Sequence, residues 1–292
     1  MKHHNNMKTI NKLFTACALL FALSFSFGIK AAETNLVDTV AVLSNKMQRE
    51  IKNVVVMPAD YNESNMQEEQ YAVLYLLHGY SGTYKDWIKK KPELSQLATQ
   101  YGVIIVCPDG QDSWYLDSPI DPSMQFETYI TKELVTYIDN HYRTIADPKF
   151  RAITGLSMGG HGAMSLALKH PDIFWQCGSM SGGLDITPFP KSWKISKRIG
   201  TYDDNKELWK EVSVQGIVEK LDSTDQRIII DCGIDDFFYK VNTTMHQTLL
   251  DKKIAHDFIS RPGRHTWDFW CNSIDFQMLF FSKGFEQAAE TH

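Results

Sequence analysis

The chain has no excess of positive charge. Its 30 Lys and Arg are outnumbered by 35 Asp and Glu, for a formal net charge of −5, so it offers no basic field to a nucleic acid. Cysteine is scarce, at five in 292 residues. No CxxC pair and no Cys/His spacing suited to a metal occurs, so neither a metal nor another cofactor is expected. Apart from one run near the N-terminus, no apolar segment approaches the length of a bilayer span. Repeats, heptads and low-complexity linkers are also missing, which favours a single domain. Hydrophobic residues at 43% and charged residues at 22% exclude wholesale disorder.

The exceptional run is 13–28, preceded by Lys8 and Lys12 and followed by Ala31 and Ala32. A basic start, a short apolar stretch and small residues before a polar segment are what a secretory signal peptide requires. The expected organisation is a leader over 1–32, cleaved near Ala31 or Ala32, and one domain over 33–292, exported to the periplasm or the exterior. A retained N-terminal anchor is the alternative. Cys17 sits at the start of the run rather than its end, which disfavours a lipid-modified cysteine. Of the remaining thiols, Cys107, Cys177, Cys232 and Cys271, an even number permits disulfides. The first three, however, lie at or near the ends of apolar strand-like runs, where a buried thiol behaves as a small hydrophobe.

Segments 38–43 and 50–57 read as two antiparallel opening strands. The continuous apolar run 71–78 (YAVLYLLH) reads as a strand buried on both faces. Helix 93–101, strand 103–107, amphipathic helix 126–142, strand 151–155 and a small-residue helix 159–169 follow. Strands 174–180 and 227–232, helix 240–252, strand 255–261 and a final helix from about Trp267 complete the series. Such alternation predicts an α/β fold with a mostly parallel central sheet and helices on both faces. Two stretches break the rhythm: 109–125, and 184–224 with a helix expected at 205–220. Long insertions of this kind often form lids or binding loops, and they are the expected walls of a substrate cleft.

Gly155-Leu156-Ser157-Met158-Gly159 matches the G-x-S-x-G nucleophile elbow. The serine must stand on a tight strand-to-helix turn, and a side chain at either flanking glycine would collide with neighbouring backbone. A serine hydroxyl needs a base to remove its proton. Among His246, His256, His265 and His292, only His265 lies on a loop between the last strand and the last helix, at the sheet edge where catalytic groups gather. His161, on the helix after the elbow, reads as a packed or surface residue. The acid belongs on the loop after strand 227–232. Asp231 falls within the strand, and spacing alone does not choose between Asp235 and Asp236. Whichever of the two is not catalytic would cap the following helix. An oxyanion needs two backbone N–H donors. Met158 supplies one and Tyr80, in the turn His78-Gly79-Tyr80-Ser81-Gly82, supplies the other. His78 itself reads as a hydrogen-bonded packing residue.

These residues carry a resemblance. LLHGYSGTYKDW (76–87), SWYLDSP (113–119), TGLSMGGHGA (154–163), DCGIDDFFY (231–239) and RPGRHTWDFW (261–270) resemble, in order, landmarks of the esterase D-like family of α/β-hydrolases. That family includes S-formylglutathione hydrolases, tributyrin-type esterases, feruloyl and acetyl-xylan esterases, and mycolyl transferases. The resemblance implies a metal-free carboxylester hydrolase working through an acyl-enzyme, with the acid three residues after the loop glycine, hence Asp236 after Gly233. It also supports His265 and implies that Trp267 neighbours the site. Trp114 and Tyr115 match a loop that can approach the acyl or sugar group, with a purely structural role equally open.

The expected function is therefore a secreted serine carboxylesterase acting on acetyl, feruloyl or short-chain esters, small molecules or polysaccharides, through Ser157, His265 and Asp236. Three alternatives stand beside it. An acyltransferase to a sugar hydroxyl would need a long apolar trough, which no segment announces. An S-formylglutathione hydrolase would act on a cytosolic thiol metabolite, which export disfavours. A non-catalytic carbohydrate-binding relative would have no need to retain the triad residues.

Overall fold

In the computed structural model, which describes residues 36–291, eight strands form one sheet in the order β1-β2-β4-β3-β5-β6-β7-β8. The strands are β1 (Val37–Ser44), β2 (Arg49–Val56), β3 (Ala72–Leu77), β4 (Val103–Pro108), β5 (Arg151–Gly155), β6 (Gln176–Met180), β7 (Arg227–Gly233) and β8 (Asp257–Arg261). β1 pairs antiparallel with β2, and β2 with β4. All other pairs are parallel. The expected leader lies outside the described residues. Among the described residues, no helix is long and apolar enough to cross a membrane.

β3 shows why the sheet sits at the centre. All six of its residues are buried, and successive side chains point to opposite faces. Val73, Tyr75 and Leu77 join one apolar layer, and Ala72, Leu74 and Leu76 the other. The second layer is closed by α1 (Asp86–Lys90), α2 (Leu94–Tyr101) and the C-terminal helix, through residues such as Trp87, Leu94, Ile274 and Phe281. The first is closed by α3 (Val135–His141), α4 (Met158–Lys169) and α7 (Tyr239–Asp251), together with α5 (Lys206–Val212) and α6 (Val214–Lys220) from the long insertion. The C-terminal helix is α8 (Trp267–Glu290).

Two helices differ from expectation. The segment read as one α-helix over 126–142 contains a π-helical turn at Tyr129–Leu134. The Tyr129 hydroxyl, on this turn, lies 2.8 Å from Asn53 Nδ2 on β2, and Thr131 donates to the Glu127 carbonyl at 2.7 Å. The single helix expected at 205–220 is broken at Ser213, whose backbone is extended. That break frees the Val212 carbonyl to accept from His161 Nε2 at 3.0 Å, and the Ser213 hydroxyl accepts the Ile186 N–H at 3.1 Å. Cys107, Cys177 and Cys232 are buried free thiols, as read from their apolar surroundings, and Cys271 is also free.

Candidate active site

The carboxyl ends of β3, β5, β7 and β8 lie along one edge of the sheet, because their parallel registers keep these ends level. Leu77 on β3 pairs with Gly155 on β5, and Gly233 on β7 with Arg261 on β8. The loops that follow therefore emerge side by side.

After β5 the chain turns sharply. The Ser157 N–H donates to the Met180 carbonyl at 2.9 Å, and Ser157 itself adopts φ 55°, ψ −115°, a conformation costing about 1–3 kcal/mol for a residue with a side chain. The flanking glycines permit the turn. A Cβ on Gly155 would meet the Gly159 carbonyl carbon and Leu77 Cβ at 2.7 Å, and one on Gly159 would meet the His78 and Leu77 carbonyl oxygens at 2.6 and 2.7 Å. The N-terminus of α4 begins at the next residue, directing its positive dipole end toward the serine.

His265 stands on the loop after β8. Its Nε2 lies 3.0 Å from Ser157 Oγ, and its Nδ1 lies 2.8 and 3.0 Å from the two carboxylate oxygens of Asp236. Because a carboxylate only accepts, Nδ1 carries the hydrogen, and Nε2 is left to accept from the serine hydroxyl. The Asp236 carboxylate is fully buried, and its Oδ1 also accepts the Phe238 N–H at 2.8 Å. Neighbouring Asp235 is exposed and donates its backbone N–H to the Gly263 carbonyl. The structure thus brings Asp236 to His265 and leaves Asp235 in solvent, where spacing alone had not chosen between them. Asp231 lies within β7, its carboxylate 2.9 Å from Arg261. Burial pushes that carboxyl up, outweighing the hydrogen bonds from Arg261 and Ser273.

Met158 and Tyr80 flank the serine from two sides. Met158 follows it directly, and Tyr80 lines the same cleft. The intervening turn passes close by, since a Cβ on Gly79 would lie 3.4 Å from Ser157 Cβ. Among the described residues, neither backbone N–H has an acceptor. His78 supports this turn from beneath. It is buried, accepts the Gly110 N–H on Nε2 at 2.8 Å and faces the Gly79 carbonyl with Nδ1 at 2.8 Å. This leaves it no free nitrogen for proton transfer.

For Trp114 and Tyr115 a substrate-facing and a structural role were both open, and neither residue is among those lining the cleft. Both have positive φ, 59° and 56°, which turns their side chains into the core, where both are buried. The Tyr115 hydroxyl donates to the His78 carbonyl at 3.1 Å, and the Trp114 ring packs edge-on against His161. His161 is wholly buried, and burial lowers its pKa to about 4, so it is neutral. Trp267 does line the cleft, edge-on to Trp87 and Trp270.

The cleft encloses about 570 Å³, with Ser157 and His265 among its lining residues. Three aromatic residues of its wall had been given no role from sequence: Trp193, Phe237 and Trp270. Phe237 is 53% exposed, lies 4.2 Å from the His265 ring, and stacks on Trp193 at 5.7 Å and 20°. Trp270 meets the imidazole edge-on at 4.8 Å. The position of Phe237 directly after Asp236 was the available signal, whereas Trp193 reaches the site only through the fold of the insertion.

Residues 44–281 match the family model described as "Putative esterase". The acetyl esterase of Caldicellulosiruptor saccharolyticus is 27% identical over 256 residues, covering 82% of this chain and 96% of the relative. The S-formylglutathione hydrolase of Mus musculus is 29% identical over 187 residues, 56% of this chain and 64% of that enzyme. Among solved structures, a ferulic acid esterase superposes with a TM-score of 0.73 at 26% identity, covering 85% of this chain and 98% of its own.

Proposed function

The chain belongs to this esterase family of α/β-hydrolases and is a carboxylic ester hydrolase; from that premise we propose that it is a secreted serine esterase cleaving acetyl, feruloyl or short-chain acyl groups from carbohydrate-linked alcohols. Its nucleophile is Ser157, its base His265 and its acid Asp236.

The observation that carries this reading is the unbroken hydrogen-bonded series from Asp236 through His265 to Ser157 at the cleft. In the proposed reaction Ser157 Oγ attacks the acyl carbon while His265 Nε2 takes its proton. The developing oxyanion is received by the N–H groups of Met158 and Tyr80, which have no competing acceptor among the described residues and need no reorganisation as charge forms. Asp236 holds the imidazole in the required tautomer and stabilises its charged form. His265 then gives the proton to the leaving alcohol, and water repeats the sequence on the acyl-enzyme.

Support for an ester substrate comes from the acetyl and ferulic acid esterases among the relatives. Support for export comes from Lys8 and Lys12 ahead of the apolar run 13–28. The aromatic faces of Trp193 and Phe237 beside His265 suit a flat acyl group or the apolar face of a sugar. The direct test is p-nitrophenyl acetate hydrolysis. Ser157→Ala is expected to abolish turnover while leaving the far-UV circular dichroism unchanged, and unaltered turnover would refute the nucleophile.

A further inference from the structure

A second depression, of about 280 Å³, adjoins the cleft. The two share Tyr80, Ser81 and Gly82 among their lining residues, so they lie next to each other on the surface. Where the cleft is walled by aromatic rings, this annex is walled by Asp109, Gln111, Asp112, Lys194 and the 80–83 turn.

Several of its polar groups retain unused hydrogen-bonding capacity. Asp109 Oδ1 accepts the Gln111 N–H at 3.0 Å, while its Oδ2 has no hydrogen-bond partner among the described residues. Gln111 Oε1 accepts from Arg49 at 3.3 Å, which leaves both hydrogens of its Nε2 unused. Ser81 is exposed, and its hydroxyl makes no hydrogen bond among the described residues. Lys194 gives one N–H to Asp112 at 3.1 Å and keeps two. Asp112 is committed elsewhere, since Arg198 also binds it at 2.7 Å.

The chemistry of this set narrows the ligand. An apolar group would cover the free oxygen of Asp109 and the remaining donors of Gln111 and Lys194 without bonding them, at a desolvation cost. An anion would face two carboxylates. A cation would face Lys194, with Arg198 close behind it. A neutral group that both donates and accepts satisfies the free acceptor on Asp109 and the free donors on Gln111 and Lys194 together. Hydroxyl groups do both, and a volume at the lower end for ligand sites suits one ring rather than a chain of them.

We infer that this annex binds a polyhydroxylated ring, a sugar unit of the ester substrate whose acyl group lies at Ser157, through Asp109 Oδ2, Gln111 Nε2 and Lys194 Nζ. The inference rests on the esterase reading above and adds a specific subsite to it.

The experiment compares kcat/KM for monoacetylated xylobiose with kcat/KM for p-nitrophenyl acetate, which has no sugar to place in the annex. It uses the wild type, Asp109→Asn and Gln111→Leu. Asp109→Asn keeps an oxygen for the Gln111 N–H and replaces only the free acceptor. Gln111→Leu keeps the test readable if the first variant disturbs the neighbouring His78. The ratio of the two constants is expected to fall at least fivefold in each variant. A ratio within twofold of wild type in both variants overturns the subsite. A wild type that hydrolyses neither ester overturns the esterase reading instead.

Discussion

His265 Nε2 lies 3.0 Å from Ser157 Oγ, although 108 positions separate them in the chain. The loops carrying His265 and Asp236 are fastened to each other as well as to the sheet. A Cβ on Gly233 would collide with the Gly263 carbonyl. The Asp235 N–H donates to the Gly263 carbonyl, and the Ile234 N–H to the Arg261 carbonyl. Arg261 in turn binds the buried Asp231 at 2.9 Å and Ser273 at 2.6 Å. The imidazole is held by the Asp236 carboxylate and flanked by the rings of Phe237 and Trp270.

The first prediction separates the two adjacent acids. Asp236→Asn removes the acceptor that sets the tautomer of His265 and should lower kcat by about 10³–10⁴-fold. Asp235→Asn alters an exposed carboxylate with no bond to the imidazole and should stay within about threefold of wild type. Steady-state kinetics on p-nitrophenyl acetate decide, and equal losses in both variants would contradict the placement of the acid.

A second prediction concerns the elbow. Gly159→Ala would drive a methyl group into the His78 and Leu77 carbonyl oxygens, backbone atoms that cannot swing aside. Overpacking of this kind costs about 1–3 kcal/mol, and a domain of this size then loses roughly 5 °C in melting temperature. A thermal melt unchanged within 1 °C would show that the turn relaxes freely.

Much of this arrangement was legible because burial leaves a mark in sequence. β3 is buried on both faces and reads as an unbroken apolar run, and Gly155 and Gly159 read through the collisions they avoid. His265 could be chosen because only that histidine lay between the last strand and the last helix. Asp236 needed the family resemblance, since two neighbouring carboxylates have the same local pattern. What stayed hidden depends on contacts between distant segments. Nothing local to Trp114 and Tyr115 announces their positive φ, so their inward direction was not readable. The break at Ser213 answers to His161 on another helix, and the stacking of Trp193 on Phe237 joins two loops that no periodicity connects.

A third prediction follows from Glu127, just before the π-helical turn. Burial pushes its carboxyl up, but the hydrogen bond from His170 at 3.0 Å, together with Lys169 at 2.9 Å, outweighs that and holds it at about 2. The folded state therefore binds this proton more weakly than the unfolded chain, whose reference value is 4.5. The stabilisation is complete above about pH 4.5 and is lost as pH falls toward about 2, with an upper bound of about 3 kcal/mol. Glu127→Gln should lower the urea midpoint at pH 6 and flatten its decline below pH 4.5. A variant with the wild-type acid slope would contradict this assignment.

The most direct measurement of the central claim is active-site titration with an aryl fluorophosphonate, read by intact mass and peptide mapping. One equivalent should add to the wild-type protein at Ser157 with simultaneous loss of esterase activity. His265→Ala should label far more slowly, and Ser157→Ala not at all. Stoichiometric labelling of another residue, or full inactivation with Ser157 unmodified, would contradict the assignment of Ser157 as the nucleophile.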